Sequence, residues 1–464
     1  MNVPEAIFRQ YDIRGVIGEQ IDVQVAHAIG RAVATHARRR LGRPARLAVG
    51  RDNRPSGEGL AQAVRDGMAA AGAHAIDVGM LPTPALYLAL HELDVDGGLQ
   101  VTGSHNPPEF NGFKMVVAGA TLHGSDIQEL RRLIVEAETD DGAGSLGVDT
   151  TVLEKYATAI LERNGPLKKS VRVVVDCGNG VGSLVAESIL SRLGAEVVPL
   201  FCESDGTFPN HHPDPTVLEN LRDLQEAVRR TKAALGIAFD GDADRIGVVD
   251  EQGNVIFGDH LLALFGRDLA ARMGKGHPVI FDVKCSDALS IDLVRSGLVP
   301  EMWKTGHSLI KARMKELDAP LAGEMSGHMF FGGDYYGFDD ALFAAARLLD
   351  FVAGQDEPLS AMLSSLPVRC STPEIRLDCP DARKFAIVEQ ATEHFRSRYS
   401  VSEMDGVRIT FPEGWGLVRA SNTQAVLVMR FEASSADLLK SYRDEVEDWL
   451  RGKGIGREEA EGEH

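Results

Sequence analysis

A strand–turn–helix–strand unit occurs three times along the sequence, and this repeat restricts the possible folds more than any other feature. Each copy has an apolar strand, a polar turn, an amphipathic helix closed by Gly and a second strand. The copies start with RLAVGRD at residue 46, VRVVVDCGNG at residue 171 and HPVIFDVK at residue 277. Such a crossover is right-handed and joins parallel strands. The repeat therefore predicts three similar α/β domains with their functional loops at the carboxyl ends of strands.

The length of the chain and the different sequence pattern of its C-terminal part predict a fourth domain. The chain has 464 residues, which is more than one hydrophobic core usually serves. After about residue 368, stretches such as GVRITF and AVLVMRFEA indicate strands mixed with helices, without the order of the repeat. We therefore predict an α/β fold of three similar mixed-sheet domains and a smaller C-terminal α+β domain, with the domains at residues 1–149, 150–252, 253–367 and 368–464.

Composition excludes several classes of partner. The chain has 49 Lys and Arg against 68 Asp and Glu, a net charge of -19, which repels nucleic acid and anionic membrane surfaces. An anionic substrate would therefore need a locally basic site. The first residues lack the pattern of a secretory signal, and the apolar runs are too short to span a bilayer. Five dispersed cysteines without a C-x-x-C pair are typical of reduced thiols, so we predict a cytoplasmic protein.

The stretch GLQVTGSHNPP places Ser104 in a stiff loop behind a strand. Residues 98–102 alternate like the end of a strand, and Pro107 and Pro108 forbid a helix or a continuing ladder. Functional side chains are often found in loops at strand ends. A turn rich in hydrogen-bonding side chains is an equally good interpretation of this stretch taken alone.

Three aspartates at alternate positions predict a metal site. Asp240, Asp242 and Asp244 are separated by Gly241 and an alanine, and the segment lies between two apolar strands. Carboxylates this close repel one another and raise their own pKa values unless a cation is present. Oxygen ligands suit Mg²⁺. The small spacers disfavour a solvated acidic turn, and the flanking strands disfavour an EF-hand. Arg245 follows directly and can orient a carboxylate or contact a phosphate.

Two further stretches carry polar groups between predicted strands. In GEMSGH, Glu324 can accept from two adjacent hydroxyls and Ser326 can donate or accept, which suits a sugar diol. In RASNT, Arg419 with Ser421, Asn422 and Thr423 can cradle a phosphate. Taken alone, the first is also an ordinary polar loop and the second an ordinary hairpin turn. Other polar groups lie near predicted strand ends, at Tyr11, Arg14, Lys284 and His307.

The four motifs occur in order, one per predicted domain, and together they resemble the α-D-phosphohexomutase family, most closely its bacterial phosphomannomutase/phosphoglucomutase branch. The resemblance spans essentially the whole chain, and none of the four motifs departs from the family pattern. TGSHNP and DGDADR are highly specific together, while GEMSGH and RASNT refine the assignment. The resemblance implies four domains around a central cleft that binds hexose phosphates.

The resemblance also implies a role for each motif. Ser104 carries a phosphoryl group, and together with Asp240, Asp242 and Asp244 it holds one Mg²⁺ per subunit. Lys114, from the NGFK stretch just past the serine, handles protons. The remaining catalytic candidates are His105, Arg14 and His328. The substrate-binding residues implied are Tyr11, Arg245, Lys284, His307, Glu324, Ser326, Arg419, Ser421, Asn422 and Thr423.

The implied reaction interconverts hexose 1-phosphate and hexose 6-phosphate. The phosphoserine gives its group to the free hydroxyl, a hexose 1,6-bisphosphate turns around in the site, and the other phosphate returns to Ser104; glucose 1,6-bisphosphate is the implied activator. The resemblance also implies a monomer. A phosphoglucosamine mutase is the main alternative, although its loop usually reads GEQSGH where this chain has Met325. A metal-dependent sugar phosphatase is a further alternative, whereas the intact motif residues argue against a non-catalytic sensor.

Overall fold

The computed structural model describes residues 3–421 and 425–456. In this part of the chain the three copies of the repeat form three α/β domains, and the C-terminal part forms a domain of different topology.

The first domain is built on a mixed sheet with parallel central strands. Its elements are β1 (Ile13–Val16), α1 (Val23–Leu41), β2 (Arg46–Arg51), α2 (Gly57–Ala70), β3 (His74–Met80), α3 (Thr83–Glu92), β4 (Gly97–Val101), β5 (Phe110–Val117), β6 (Ala120–Thr121), α4 (Ser125–Val135) and β7 (Ser145–Val148). The strand order is β1-β5-β4-β2-β3-β7, with β6 on β5. Strand β2 pairs in parallel with β3 and β4, whereas β5 pairs antiparallel with β1 and β4.

The strand predicted just before Ser104 is present and is enclosed on both faces. Residues 98–102 alternate in sequence like the end of a strand, yet every residue of β4 is buried. Helices α1 and α2 cover one face of the sheet and α3 covers the other, so both faces of a central strand are enclosed. Strand β4 still ends at Val101, and Ser104 follows three residues later in a loop at its carboxyl end.

The second domain repeats the plan with a shorter sheet. Its elements are α5 (Val152–Asn164), β8 (Arg172–Asp176), α6 (Ala186–Leu193), β9 (Glu196–Leu200), α7 (Arg222–Thr231), β10 (Leu235–Phe239), β11 (Ile246–Asp250) and β12 (Val255–Ile256). The strand order is β12-β11-β10-β8-β9, in which β8 is parallel to both neighbours and β11 is antiparallel to both. Because β12 belongs to this sheet, we propose to place the domain boundary after Ile256 rather than after residue 252.

The third domain carries the last copy of the repeat. Its elements are α8 (Gly258–Met273), β13 (Pro278–Asp282), α9 (Asp287–Arg295), β14 (Val299–Trp303), α10 (His307–Leu317), β15 (Leu321–Gly323), β16 (Met329–Phe331), α11 (Ala341–Ala353) and α12 (Leu359–Leu363). The order is β14-β13-β15-β16, with β13 parallel to β14 and β15, and β16 antiparallel to β15.

The C-terminal domain is an antiparallel sheet packed against two helices. Its elements are β17 (Cys370–Ser371), β18 (Ile375–Asp378), α13 (Asp381–Arg396), β19 (Ser400–Ser402), β20 (Val407–Phe411), β21 (Gly414–Ala420), β22 (Val426–Ala433) and α14 (Ala436–Arg451). The order is β17-β22-β21-β20-β19, with β18 also on β22. Every pairing of these strands is antiparallel.

The hydrophobic cores show how the domains are joined. One continuous cluster contains α3 of the first domain together with the cores of the second and third domains. The C-terminal domain has a core of its own and meets the third domain through a small cluster of Val283, Trp415 and Leu417. Arg408 of β20 adds a hydrogen bond from its guanidinium to the carbonyl of Val283 at 2.7 Å. Among the described residues, no helix is both long enough and apolar enough to cross a membrane.

Candidate active site

Four loops from the four domains supply the candidate site. The serine loop (residues 102–108) follows β4, the acidic loop (240–245) joins β10 to β11, the sugar loop (324–328) joins β15 to β16, and the phosphate loop (421–425) joins β21 to β22. Strands β4, β10 and β15 each pair in parallel with a neighbour. The serine, acidic and sugar loops therefore lie at the carboxyl ends of parallel strands, as the repeat predicted. Asn422 and Thr423 lie outside the described residues.

Ser104 is buried and its hydroxyl points at the acidic loop. Its side-chain Oγ donates to Oδ2 of Asp240 at 3.0 Å and lies 3.2 Å from Nδ1 of His105. The Ser104 backbone has φ of 49°, the left-handed region that non-glycine residues rarely adopt. The amide of Ser104 is held by the hydroxyl of Thr102 at 2.8 Å. A strained backbone at a buried nucleophile is typical of a functional site.

The three aspartates form one buried carboxylate cluster. Asp240, Asp242 and Asp244 are fully buried, and one ligand oxygen from each lies within 4.8 Å of the others. Within the described part of the chain, Oδ1 of Asp242 has no hydrogen-bond partner. Burial and the charges of Asp242 and Asp244 raise the pKa of Asp240 well above its usual value. Three buried carboxylates packed this closely, one of them with an unpartnered oxygen, fit a divalent cation such as Mg²⁺.

Lys114 supplies positive charge to this cluster. Its ammonium donates to Oδ2 of Asp242 at 2.7 Å and to Asp244. Burial alone would lower the pKa of Lys114, but Asp242 and Asp244 together raise it above its usual value. Burial would likewise raise the pKa of Asp244, but Lys114 and His328 hold it well below the usual range. Lys114 is therefore protonated beside the carboxylates.

Thr83 at the start of α3 was not recognised in the sequence and also contacts the cluster. Its hydroxyl donates to Oδ2 of Asp242 at 2.5 Å, and its amide donates to the Asp242 carbonyl at 3.0 Å. The pattern of the helix gave no sign of this contact, because α3 belongs to the first domain and Asp242 to the second.

The sugar loop meets the acidic loop through His328. Nε2 of His328 lies 3.2 Å from Oδ1 of Asp244, and its Nδ1 lies 2.7 Å from Oε2 of Glu324. Burial opposes charge on the imidazole, yet Asp244 raises the pKa of His328 to about 9. Burial also opposes charge on Glu324, yet the bond from His328 lowers its pKa to about 2. Both groups are therefore ionised near neutral pH, and Ser326 Oγ lies 3.3 Å from the same imidazole.

Basic side chains surround the cleft, as a substrate anion would require of so acidic a chain. Arg14 donates to Oδ1 of Asn106 in the serine loop at 2.8 Å, and Arg245 Nε lies 3.3 Å from His328 Nε2. Lys284 lies 3.3 Å from Glu374 and 3.7 Å from Asp282. Burial and the charges of Arg245 and Arg14 lower the pKa of His105 well below its usual value.

Arg419 reaches the third domain through an aspartate that the sequence did not single out. Arg419 pairs with Asp405 at 3.0 Å, and Asp405 accepts from the amide of Thr305 at the same distance. The hydroxyl of Tyr11 donates to the Thr305 carbonyl at 2.8 Å. Tyr11 of the first domain and Asp405 of the fourth, the partner of Arg419, therefore bond to the same residue of the third domain.

His307 is buried behind the site, next to a second missed residue. Its Nδ1 lies 3.4 Å from Oδ2 of Asp339, which also accepts from Lys311 at 2.8 Å through Oδ1. The imidazole ring lies 5.8 Å from that of His328. Burial and the Lys311 charge lower the pKa of His307 well below its usual value. Asp339 lies in the stretch GFDDA, which carries no recognisable motif.

Taken together, the loops form an arrangement suited to phosphoryl transfer. A serine hydroxyl lies against a carboxylate cluster fitted to a divalent cation, and lysine, arginine and histidine side chains surround it. Such transfer depends on positioning and on neutralising negative charge.

Comparison with known proteins gives the same architecture. Models of the phosphoglucomutase/phosphomannomutase family match the alpha/beta/alpha domains I, II and III at residues 5–141, 154–253 and 257–370, and the C-terminal domain at 374–448. A phosphomannomutase/phosphoglucomutase of Pseudomonas aeruginosa is 46% identical over 450 residues, 97% of this chain and 96% of the relative. A phosphoglucomutase of Neisseria gonorrhoeae is 43% identical over 441 residues, 94% of each chain. A crystal structure of a phosphoglucomutase/phosphomannomutase family protein from Burkholderia thailandensis has a TM-score of 0.89 and 42% identity, covering 97% of this chain and 98% of that one.

These matches cover all four domains, and the chain belongs to the phosphoglucomutase/phosphomannomutase family. The predicted resemblance and the predicted fold class are confirmed. The members of this family are phosphotransferases of the hexomutase superfamily, and this chain is an enzyme of that class.

Proposed function

We propose that this protein is a phosphohexomutase that reversibly interconverts the 1- and 6-phosphates of mannose and glucose through a phosphoserine at Ser104. One observation carries the proposal: the buried Ser104 hydroxyl lies 3.0 Å from Asp240, within a carboxylate cluster that fits a divalent cation. The full-length similarity to a phosphomannomutase/phosphoglucomutase supports the same reaction.

The reaction requires two phosphoryl transfers with opposite direction. In the first, the bond between phosphorus and Ser104 Oγ breaks while phosphorus bonds to the free hydroxyl of the hexose phosphate. A basic group of the cleft takes the proton of that hydroxyl, and a protonated group gives one to the serine oxygen, so the step neither consumes nor releases protons overall. The resulting hexose 1,6-bisphosphate turns around in the cleft, and the phosphate at its other end returns to Ser104 with the reverse proton movements. Release of the monophosphate then leaves the phosphoserine restored.

Proton handling falls to groups that are already charged. We assign it to Lys114, assisted by His328 and Arg14, while His105 adjoins the serine oxygen. The pKa values of Lys114 and His328 are both raised, so each begins as an acid that can give a proton to the departing serine oxygen. The two side chains approach Asp244 from different domains, which lets them serve a substrate that presents either end.

Asp240, Asp242 and Asp244, with an oxygen of the phosphorylated Ser104, would hold one Mg²⁺. When bound, the ion offsets negative charge on the phosphoserine and on the group in transfer. The unpartnered Oδ1 of the buried Asp242 and the close packing of the three carboxylates support this assignment.

The sugar loop explains why two hexoses would be accepted. We assign the 3- and 4-hydroxyls of the sugar to Glu324 and Ser326, because these hydroxyls roughly exchange places when the bisphosphate turns around. Glucose and mannose differ only at carbon 2, so this pair would not separate them. The non-reacting phosphate is assigned to Arg419, Ser421, Asn422 and Thr423, with Tyr11, Arg245, Lys284 and His307 lining the cleft. A ratio of catalytic efficiencies for the two sugars beyond about a thousandfold, roughly 4 kcal/mol, would contradict this.

The alternatives give different products. A phosphoglucosamine mutase would isomerise glucosamine 6-phosphate faster than either hexose phosphate, and a phosphatase would accumulate free phosphate rather than an isomer. Met325, where that mutase usually has Gln, favours mannose and glucose. We further infer that glucose 1,6-bisphosphate activates the enzyme, and that it acts as a cytoplasmic monomer of 50.1 kDa; light scattering of the purified protein measures the oligomeric state directly.

The test of the proposed function is mass spectrometry of the intact protein and its peptides, before and after incubation with glucose 1,6-bisphosphate. We expect one phosphate on Ser104, gained or exchanged with the bisphosphate. Absence of phosphate from Ser104 under both conditions would break the mutase mechanism.

A further inference from the structure

Arg54 has a fully enclosed guanidinium group, and nothing in the proposed reaction assigns it a role. The residue follows β2 in the first domain, and its side chain has no exposed area. Arginine side chains are rarely buried without a set of partners that uses their fixed donor geometry. The partners of Arg54 therefore indicate what it does.

Four of the five N–H groups of Arg54 are directed at backbone carbonyls in and just beyond the serine loop. Nη2 donates to the carbonyls of Ser104 at 2.7 Å and Asn106 at 2.6 Å. Nη1 donates to those of Pro107 at 2.5 Å and Phe110 at 3.0 Å. With one N–H left on Nε, each donor of the guanidinium has its own acceptor. One side chain thus fixes the path of seven consecutive residues around the nucleophile.

Asp52 completes the arrangement from the other side. Its Oδ2 accepts from Nε of Arg54 at 3.1 Å, from the hydroxyl of Thr102 at 2.7 Å and from the amide of Gly103 at 3.2 Å. The Thr102 hydroxyl in turn holds the amide of Ser104. The Arg54–Asp52 pair is neutral overall, so its effect on the serine loop is one of geometry more than of charge.

The Arg54–Asp52 pair packs closely against the serine loop. A Cβ on Gly103 would come within 2.5 Å of the Arg54 Cζ atom, so glycine is needed at this contact. The same loop holds Ser104 at its left-handed φ of 49°. A backbone in this region is retained only where surrounding contacts enforce it, and Arg54 supplies those contacts.

The segment also connects the serine loop to the domain that carries the acidic loop. Asn53 donates to the Asn179 carbonyl at 2.7 Å and to the Ser204 hydroxyl at 2.9 Å, both in the second domain. The Arg54 guanidinium lies 5.0 Å from the centre of the Phe208 ring of the same domain. Residues 52–54 therefore contact both the serine loop and the second domain, which carries the acidic loop.

We propose that Arg54 is a positioning residue for phosphoryl transfer: its guanidinium holds the serine loop in the conformation that aims Ser104 at the acidic loop. The proposal rests on the proposed function, since it assigns Arg54 to the transfer steps and not to sugar binding. A transfer that needs reacting atoms in line is sensitive to displacements of about 1 Å.

The principal test is Arg54→Lys, which keeps the charge and removes the planar fork. Lysine has three donors and cannot serve five acceptors in two directions. We expect kcat, and the rate at which glucose 1,6-bisphosphate phosphorylates Ser104, to fall together by about 100-fold, the size of a 1 Å misplacement. The KM for glucose 1-phosphate should change by less than about threefold, because no sugar-binding group has moved.

Arg65→Lys is the matched control. Arg65 is buried in the same domain and is bonded to Asp77, Gln62 and the Ala61 carbonyl, away from the serine loop. It should lose stability without the selective loss of kcat. Gly103→Ala provides a second variant, because it pushes on the Arg54 guanidinium without removing any donor and should reproduce the loss of kcat at unchanged KM.

The outcomes separate the inference from the proposed function. A wild-type enzyme that forms phosphoserine and isomerises glucose 1-phosphate upholds the function, whatever the variants do. With that result in hand, unchanged kcat in both Arg54→Lys and Gly103→Ala, or a loss confined to KM, overturns the positioning role. A wild-type protein without phosphoserine or mutase activity overturns both.

Discussion

The ammonium of Lys114 lies where the acidic loop needs positive charge, and this contact has a consequence for metal binding. Lys114 contacts Asp242 and Asp244, two of the three carboxylates assigned to Mg²⁺. A protonated lysine and a divalent cation therefore compete for the same carboxylate oxygens. The Lys114 charge would therefore lower the affinity of the cluster for a metal ion. It would also reduce the repulsion among the three carboxylates when no metal is bound.

Replacing Lys114 with methionine should tighten Mg²⁺ binding while abolishing turnover. Removing a unit charge at this distance is worth enough to strengthen cation binding by about 10-fold or more, which isothermal titration calorimetry measures. Mutase activity should fall at least about 100-fold through loss of proton handling. Lys311→Met is the control, because Lys311 is paired with Asp339 and not with the cluster. Unchanged Mg²⁺ affinity in Lys114→Met would exclude the competition.

His328 gives the metal-free protein a pH-dependent stability. Its pKa is about 9 in the folded chain, against about 6.5 unfolded. A histidine with a raised pKa makes its full contribution to the free energy of unfolding below about pH 6.5, and this contribution is lost as the pH rises through about 9. The lowered pKa of Glu324, about 2, matters only below about pH 4.5. Above about pH 4.5, the pH dependence of the stability that this ion pair contributes is therefore set by the pKa of His328.

The stability advantage of wild type over His328→Gln should shrink with rising pH. In metal-free buffer, we expect the difference in free energy of unfolding to be largest near pH 6 and to fall by about 3 kcal/mol by pH 9.5. Urea denaturation at several pH values measures it. His123→Gln makes the same substitution outside the cleft and controls for the general effect of replacing a histidine with glutamine. A pH-independent difference would mean that folding does not raise the pKa of His328.

At the scale of elements, the site depends on two loops that touch through their backbones. The serine loop follows β4 and the acidic loop follows β10, and a Cβ on Gly241 would come within 2.4 Å of the Ser104 carbonyl oxygen. Glycine at this position is therefore what lets the nucleophile reach Asp240.

Gly241→Ala should separate these loops and stop the reaction. A contact that close forces the backbone of one loop to shift, so we expect kcat to fall by about 100-fold and the midpoint of thermal unfolding to drop by several degrees. Gly59→Ala tests the same chemical change where there is room, since the nearest atom lies 4.0 Å away in Val23. That helical position should be stabilised by about 0.5–1 kcal/mol. Normal turnover in Gly241→Ala would show that the loops do not need their close approach.

Residues at these strand ends also show how far sequence alone can go. Ser104, Asp240 and Glu324 were predictable because each follows a strand of a repeated unit, and the topology of that unit brings such ends to one edge. Arg54 also follows a strand of the repeat but acts on backbone groups, whereas Asp405 lies in a turn of the C-terminal domain and acts through Arg419. The backbone carbonyls that Arg54 contacts lie 50 or more residues further along the chain, and Asp405 contacts a residue of another domain. Only tertiary packing therefore reveals the roles of Arg54 and Asp405. The burial of β4 on both faces escaped for the same reason.

At the scale of the whole molecule, three domains share a core and the fourth stands on its own. Among the residues that the structure describes, none from the C-terminal domain belongs to the apolar cluster that joins the first three domains. The separate core of the C-terminal domain meets Val283 of the third domain through two residues of β21. Polar contacts such as Asp405 to the Thr305 amide and Arg408 to the Val283 carbonyl add to this junction. Because the C-terminal domain shares the least apolar contact with the rest, we expect it to be the part of the molecule that closes over a bound sugar phosphate.

Arg419→Ala should weaken this closure and uncouple the two transfers. Arg419 reaches Asp405 and through it the third domain, and a substrate phosphate would replace Asp405 as its partner. Losing a buried charge-assisted contact to phosphate should raise KM at least about 10-fold. The bisphosphate, less well retained while it turns around, should escape more often. Coupled assays of glucose 1-phosphate turnover, with the released glucose 1,6-bisphosphate measured in parallel, test both effects. Arg443→Ala changes an arginine of the same domain that is paired with Glu447 on α14, and it should alter neither. If Arg419→Ala leaves KM and bisphosphate release at wild-type values, the phosphate is held elsewhere and the closing domain has no part in retaining the intermediate.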